Sequence, residues 1–415
     1  MRRRIPLLRI TVSVLMLMNL PMCAMGDNVE RVADGEANVS RHLGVVGRVN
    51  LGSFYTPAKY VEKVAGWLKR IGVDSSFTIA DLSCGYGAFF ELHDVEGLEE
   101  CRYIGNDVDA VAVNEGRKLF PFVEWMAKNA LCEVDRDLFG IAIDEKLVIV
   151  GNPPYNDVTS QINQNVKTNE IPIDADIRTR DLGMSSLLAY DKLKADVVAV
   201  LHPLSYLIKK ANFKACERFF SDYRMVNHVV FSSQEFSGTS KVSAFPVIVA
   251  LYVRSENDGL SYQDVCRMVF TTAEGESFSL NGFDYVTEKI AKYPHDERYD
   301  PEILFYTMRD INALKRCRTF IKDRIANAVD VDPEKLAYYC YIDCFKRFAS
   351  VPYYLGNFNV PYDAKAFPAY SNDFIAVSKY LHKDIFTDAK RPPEETTERC
   401  ATYIKRVLSG KDNRK

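Results

Sequence analysis

At 415 residues the chain is long enough for two domains, each with its own core, and its 47% hydrophobic and 26% charged content is ordinary for a soluble globular protein. A formal net charge of −3 excludes a basic field over the whole protein, so any nucleic-acid reading requires a local basic cleft. The ten cysteines have no paired C-x-x-C spacing, which argues against a zinc site and a disulfide framework and favours small buried hydrophobes in a reducing compartment.

The first 26 residues, Met1-Arg-Arg-Arg4 through an apolar run Ile10 to Leu20 and a small-residue tail Cys23-Ala24-Met25-Gly26, have the layout of a secretory signal peptide. The apolar run is too short for a membrane span. Residues 1–26 therefore read either as a signal-like or disordered leader or as the product of a start placed too far upstream, with Met22 or Met25 the true beginning; residues 27–49 are an N-terminal extension.

Gly52-Ser-Phe-Tyr-Thr-Pro57 precedes an amphipathic helix expected over Ala58 to Ile71, with Val61, Val64, Ala65 and Leu68 on one face, Thr56 as its cap and Pro57 in its first turn. A buried strand follows at Phe77 to Asp81. It opens into Leu82-Ser83-Cys84-Gly85-Tyr86-Gly87, where two glycines permit positive φ and close approach of a ligand to the backbone. The spacing is looser than a dinucleotide-binding fingerprint. A second strand, from Cys101, ends in Asn106-Asp107-Val-Asp109. An acid at that place is the usual ribose ligand of nucleotide-binding α/β folds, and of the two acids there Asp109 suits the cap of the next helix. A third strand is expected at Phe122 to Met126, leading to Lys128-Asn129-Ala130-Leu131.

Leu147-Val-Ile-Val-Gly-Asn-Pro-Pro-Tyr155 is a fourth buried strand whose carboxyl end breaks into a rigid turn. Asn152 offers an amide oxygen, Pro153 and Pro154 fix φ and remove two donors, the Pro153 carbonyl is left free to accept, and Tyr155 adds a flat face. Two acceptors beneath a stacking ring suit a planar aromatic amine. A long polar stretch, Asn156 to Leu182, then reads as a substrate-contacting loop, with Lys167, Arg178 and Arg180 as candidate phosphate contacts. Further elements are a helix over Ser185 to Lys194, a strand over Ala195 to Pro203, a helix over Leu204 to Phe220, and strands at Arg224 to Phe231 and Val242 to Val253. Phe236 and Lys241 lie between the last two. Beyond Ser255 a helix is expected over Leu304 to Ala328, carrying Lys315, Arg316, Arg318, Lys322 and Arg324. The aromatic cluster Tyr338 to Phe348, with Tyr353 and Tyr354, fits base contacts and equally the amphipathic faces of a small domain. A charged tail that frays follows Pro393.

Asn152-Pro-Pro-Tyr155 after an apolar strand resembles the catalytic motif of amino-group methyltransferases that use S-adenosyl-L-methionine, above all the N6-adenine DNA methyltransferases. Phe54-Tyr-Thr-Pro57 resembles the segment covering the cofactor in relatives that carry it at the amino end. The resemblance is strong over residues 50 to 253 and weak beyond. It implies a Rossmann-like seven-stranded methyltransferase sheet in a catalytic domain of residues 50–254, and a smaller, mainly helical or α+β target-recognition domain over 255–415. Cofactor contacts would fall to Tyr55, Thr56, Pro57, Asp81, Ser83, Cys84, Gly85, Gly87, Asp107, Asn129, Ala130 and Asn152, catalysis to Asn152, Pro153, Pro154 and Tyr155, and stacking of a flipped adenine to Tyr155 and Phe236, with no metal. For Phe236, a hydrophobic plug is the other reading. Many relatives have an acid where Asn129 stands, and its amide oxygen can still accept. The motif order is the gamma arrangement of type II modification enzymes, implying duplex DNA as partner, a cognate restriction endonuclease encoded nearby, and a cytoplasmic protein without a membrane anchor. An RNA methyltransferase, a protein glutamine N-methyltransferase and a non-catalytic DNA-binding relative are the alternatives.

Overall fold

A computed structural model describes residues 56–155, 172–236 and 244–409. The leader, Tyr55, Lys167 and Lys241 lie outside them.

Seven strands form one sheet: β1 (Phe77–Asp81), β2 (Arg102–Asn106), β3 (Glu124–Met126), β4 (Lys146–Gly151), β5 (Val197–Pro203), β6 (Tyr223–Ser232) and β7 (Pro246–Arg254). Their order is β3-β2-β1-β4-β5-β7-β6; the first five pair in parallel and β7 runs antiparallel to both neighbours. This is the Rossmann-like sheet expected. Strands covered on both faces must be apolar throughout, and Leu147, Val148, Ile149 and Val150 of β4 are all fully buried. The order reverses between β1 and β4, the switch point beyond whose carboxyl ends such sheets hold ligands.

One face packs on α1 (Ala58–Arg70) through Tyr60, Val61, Val64 and Leu68 and on a 3₁₀ run at Ala88–Asp94. Thr56 does not cap α1. Pro57 holds the cap position, extended at φ −60°, ψ 132°, without a side-chain hydrogen bond; proline's fixed φ suits an extended residue as well as a helical one, so the helix begins at Ala58 as expected but with Pro57 before its first turn instead of in it. Asp109 caps α2 (Ala110–Leu119) as expected, accepting from the Val111 N–H at 2.9 Å. On the other face, α3 (Leu182–Lys192) starts three residues early because Asp181 accepts from the Gly183 N–H at 3.0 Å. The single helix expected over Leu204 to Phe220 is three short ones, Ser205–Ile208, Lys210–Ala215 and Glu217–Asp222. They are broken at Lys209, which extends to reach Asp310, and at buried Cys216.

The part beyond Ser255 is α+β. Instead of the helix expected over Leu304 to Ala328, strand Leu304–Tyr306 pairs antiparallel with Phe320–Ile321 and Ala328–Asp330 around a short helix, Ile311–Arg316. Helices α4 (Leu336–Phe348), α5 (Ser371–Leu381) and α6 (Glu394–Ser409) pack beside this sheet. Helix α6 replaces the frayed tail. Its Cys400, Tyr403, Ile404 and Val407 form one buried face, and the Tyr403 hydroxyl donates to the Asp363 carbonyl at 3.0 Å. Tyr339, Tyr341 and Phe345 of α4 are likewise core, the amphipathic reading of that cluster. One apolar cluster runs unbroken from Ile149 and Ile248 of the sheet to Phe345 and Tyr403. Among the described residues, no helix is long and apolar enough to cross a membrane.

Candidate active site

Pairing of β1 with β4 sets Asp81 opposite Val150, so the residue after Val150 must pass the Asp81 carboxyl. Only glycine fits: a Cβ on Gly151 would stand 2.8 Å from Asp81 Oδ1, and its φ is +152°. The turn bearing Asn152 therefore leaves the sheet directly after the residue that lies against Asp81. Asp81 is 2% exposed and accepts from the Ser83 N–H at 3.1 Å. Burial, added to by the charge of Asp107, pushes its pKa up to about 8. Asp107, one strand over, accepts from the Gly85 N–H at 2.7 Å and from the Asp109 N–H at 2.9 Å, and burial raises its pKa as well. Neither carboxyl has a basic side chain within 4 Å among the described residues. Two adjacent acids held by backbone donors in a largely dry place are suited to a cationic or hydroxyl-bearing ligand.

The two loop glycines have different reasons. A Cβ on Gly85, at φ +53°, would meet nothing within 4 Å, which leaves that backbone open to a ligand. On Gly87 it would strike Phe90 at 2.6 Å and Trp125 at 3.1 Å, so Gly87 serves packing. Ser83 is half-buried and Cys84 buried, with burial and both neighbouring acids keeping the thiol protonated. Asn129 has its amide oxygen on the Leu131 N–H at 3.0 Å and its nitrogen on the Pro172 carbonyl at 2.7 Å, with half-buried Ala130 beside it.

Sequence reasoning missed Asn106. Fully buried at the end of β2, its side chain donates to the carbonyls of Leu82 (3.0 Å) and Lys128 (3.1 Å) and accepts from the Lys128 N–H (3.0 Å), tying the loops after β1 and β3 together under the site. A polar residue closing an apolar strand was its signal.

In the fourth turn Pro153 is buried and Asn152, Pro154 and Tyr155 are half-buried. The Tyr155 hydroxyl donates to Asn152 Oδ1, and burial with the nearby Asp181 charge holds it firmly protonated. The turn rests on the start of α3: a Cβ on Gly183 would stand 3.2 Å from the Pro154 carbonyl oxygen, and Asp181 there also accepts from the Tyr206 hydroxyl. Phe236 is 2% exposed and packs edge-on against Phe231, centroids 5.5 Å apart, the position of a hydrophobic plug. Thr56 is buried and Pro57 half-buried at the start of α1. Arg178 and Arg180 are exposed and each has a polar partner on the protein, donating to the Ile173 carbonyl at 2.7 Å and to Asn212 Oδ1 at 2.8 Å respectively.

No protein-family model matches the chain, and no curated protein is similar to it. Among solved structures it is similar to the methyltransferase subunit of a type I restriction-modification system from Streptococcus thermophilus (17% identity over 56% of this chain and 48% of that one, TM-score 0.38). It is also similar to a TehB-like SAM-dependent methyltransferase from Corynebacterium glutamicum (14%, 55% and 98%, TM-score 0.30) and to a Pyrococcus horikoshii protein assigned as an RNA methyltransferase (14%, 49% and 88%, TM-score 0.34). The chain thus spans about half the length of the restriction-modification subunit. Likenesses this low add nothing to the strand order.

Proposed function

We propose that the chain is an S-adenosyl-L-methionine-dependent N6-adenine DNA methyltransferase of the gamma arrangement, marking a specific duplex site and accompanied by a cognate endonuclease encoded nearby. The observation that carries this reading is the close approach of Gly151, the residue that leads into the Asn152-Pro153-Pro154-Tyr155 turn, to the buried carboxyl of Asp81, which supports a cofactor's cationic end at Asp81 next to the turn that offers two acceptors and a flat ring. The residues present fit the cofactor: Asp81 suits its amino group, Asp107 its ribose hydroxyls, and Gly85 leaves its backbone open. Bound there, the cofactor supplies an electrophilic methyl group on a sulfonium.

The protein's work is on the amine. The N6 lone pair of adenine is conjugated into the ring and is a poor nucleophile. Accepting one N–H at Asn152 Oδ1 and the other at the Pro153 carbonyl draws the nitrogen toward a tetrahedral shape and frees the lone pair for in-line attack. As the C–N bond forms, the methyl–sulfur bond of the sulfonium breaks and leaves a neutral thioether, and the extra proton on nitrogen then departs to solvent. Orientation and preorganised acceptors supply the rate. Tyr155 must release Asn152 Oδ1 for this, and its ring then faces the base. Stacking offsets the few kcal/mol that extruding a base costs. Phe236 is the second stacking candidate, reached only if its loop turns out of the core.

The test is transfer of labelled methyl from the cofactor to duplex DNA by the full chain, with the modified base identified by mass. N6-methyladenine is expected for the wild type, and none for Asn152→Ala, whose cofactor affinity stays within a few fold. Label in RNA or protein but not in DNA would refute the reading.

A further inference from the structure

We propose that the stretch from Arg309 to Arg318, backed by Lys209 and Lys292, is the rail on which the phosphates of the target duplex lie; this deepens the DNA reading above and rests on it. A chain of net charge −3 has to concentrate its cations to hold DNA. Arg309, Lys315, Arg316 and Arg318 are all exposed, and none has a carboxylate within 4 Å among the described residues. The basic residues just beyond behave differently: Lys322 pairs with Asp384 at 3.3 Å and Arg324 with Asp330 at 2.7 Å. The acid inside the stretch, buried Asp310, is committed to Lys209 and to capping the Ala313 N–H at 2.8 Å. Lys292 has Asn359 Oδ1 at 2.9 Å as its hydrogen-bond partner instead of a carboxylate, and burial makes its ammonium less favourable than in water, the nearby charge of Asp310 opposing this in part and that of Lys209 adding to it. The cluster is left short of negative charge.

Its place is the second argument. Lys209 follows the helical turn that leaves the carboxyl end of β5, and Asn312 donates to the Ala244 carbonyl at 3.2 Å, just ahead of β7. Backbone bonds from Ile311 to Phe358 (3.0 Å) and from Asn312 to Gly356 (2.9 Å) hold the stretch to the C-terminal part. The rail is thus fastened to the carboxyl edge on the β5 and β7 side of Asn152, opposite the β1 and β2 loops that carry Gly85 and Asp107. A duplex delivering an adenine to Asn152 would run its backbone across that edge.

Each phosphate neutralised releases condensed counterions and adds about 0.9 to the slope of log affinity against log salt. The experiment measures binding of a labelled duplex by anisotropy across a salt series, for the wild-type full chain and for Lys315→Gln/Arg316→Gln/Arg318→Gln, with cofactor affinity as the check on folding. The expected result is a slope smaller by about 2 to 3 and affinity lower by about 10- to 100-fold at physiological salt, with cofactor affinity unchanged. Arg309→Gln alone should lower the slope by about 1, and reads the same question should the triple variant fold poorly. Unchanged slopes in a protein whose wild type methylates duplex DNA would overturn the rail and leave the DNA reading standing. A wild type that binds and methylates RNA but not DNA would overturn both.

Discussion

Replacing Asp81 with asparagine keeps the oxygen that accepts from the Ser83 N–H and removes the titration. In the folded protein Asp81 is pushed up to about 8 by burial and by Asp107, against roughly 3.9 in an unfolded chain. A raised carboxyl pKa gives stability that is fully present below about pH 4 and is lost as pH rises through 8, because the unfolded chain ionises first. About 1.4 kcal/mol per unit over some four units sets a ceiling near 6 kcal/mol, and relaxation around the charge should leave roughly half of it or less. Asp81→Asn is therefore expected to be about 2–3 kcal/mol more stable than wild type at pH 8.5 and equal to it at pH 4, by urea denaturation without cofactor. Cofactor binding should move the other way. Wild-type affinity should rise between pH 6.5 and 8.5 as Asp81 ionises to meet a cation, while the variant is weaker by about 10- to 100-fold and loses that component of the pH dependence. Equal stabilities at pH 8.5, or an undiminished cofactor affinity in the variant, would refute the assignment of Asp81 as a buried acid awaiting a cation.

Tyr155→Phe keeps the flat ring and frees Asn152 Oδ1, so methyl transfer should stay within about threefold of wild type, whereas Tyr155→Ala should lose about 10- to 100-fold in kcat/KM with the stacking it removes. Asn106→Ala leaves the Leu82 carbonyl and both backbone groups of Lys128 without their side-chain partner; a loss of about 3 kcal/mol in denaturant unfolding, together with weakened cofactor binding, is expected, and an unchanged midpoint would show that the loops after β1 and β3 hold themselves.

The parts of the site legible in the sequence are those made by neighbours along the chain. An apolar run ended by Gly151-Asn152-Pro153-Pro154 can hardly be anything but a buried strand entering a rigid turn, and Asp109 one residue before an apolar-periodic segment announces its own helix. Leu304, Met308, Ile311 and Leu314 also fall at helical spacing, yet the chain there divides into strands and a short helix. Short apolar runs satisfy both periods, and the pairing of Leu304 with Ile321 and Asp330 is a contact between distant residues. The charged tail concealed Cys400, Tyr403, Ile404 and Val407, which become a core face only once Asp363 and α4 are beside them.

By itself, then, the sequence determined the strand order's raw material, the acceptor turn at Asn152 and the pair of acids at the ends of β1 and β2, because backbone torsions and hydrophobic period are local. Tertiary structure decided what those residues are physically. It gave Gly87 to the packing of Phe90 and Trp125, gave Arg178 and Arg180 neighbouring polar partners, left Arg309 and Lys315 without a carboxylate partner among the described residues, and raised Asp81 to about 8. Burial, charge pairing and steric room are sums over neighbours from distant parts of the chain, so they appear only when the sheet has been assembled.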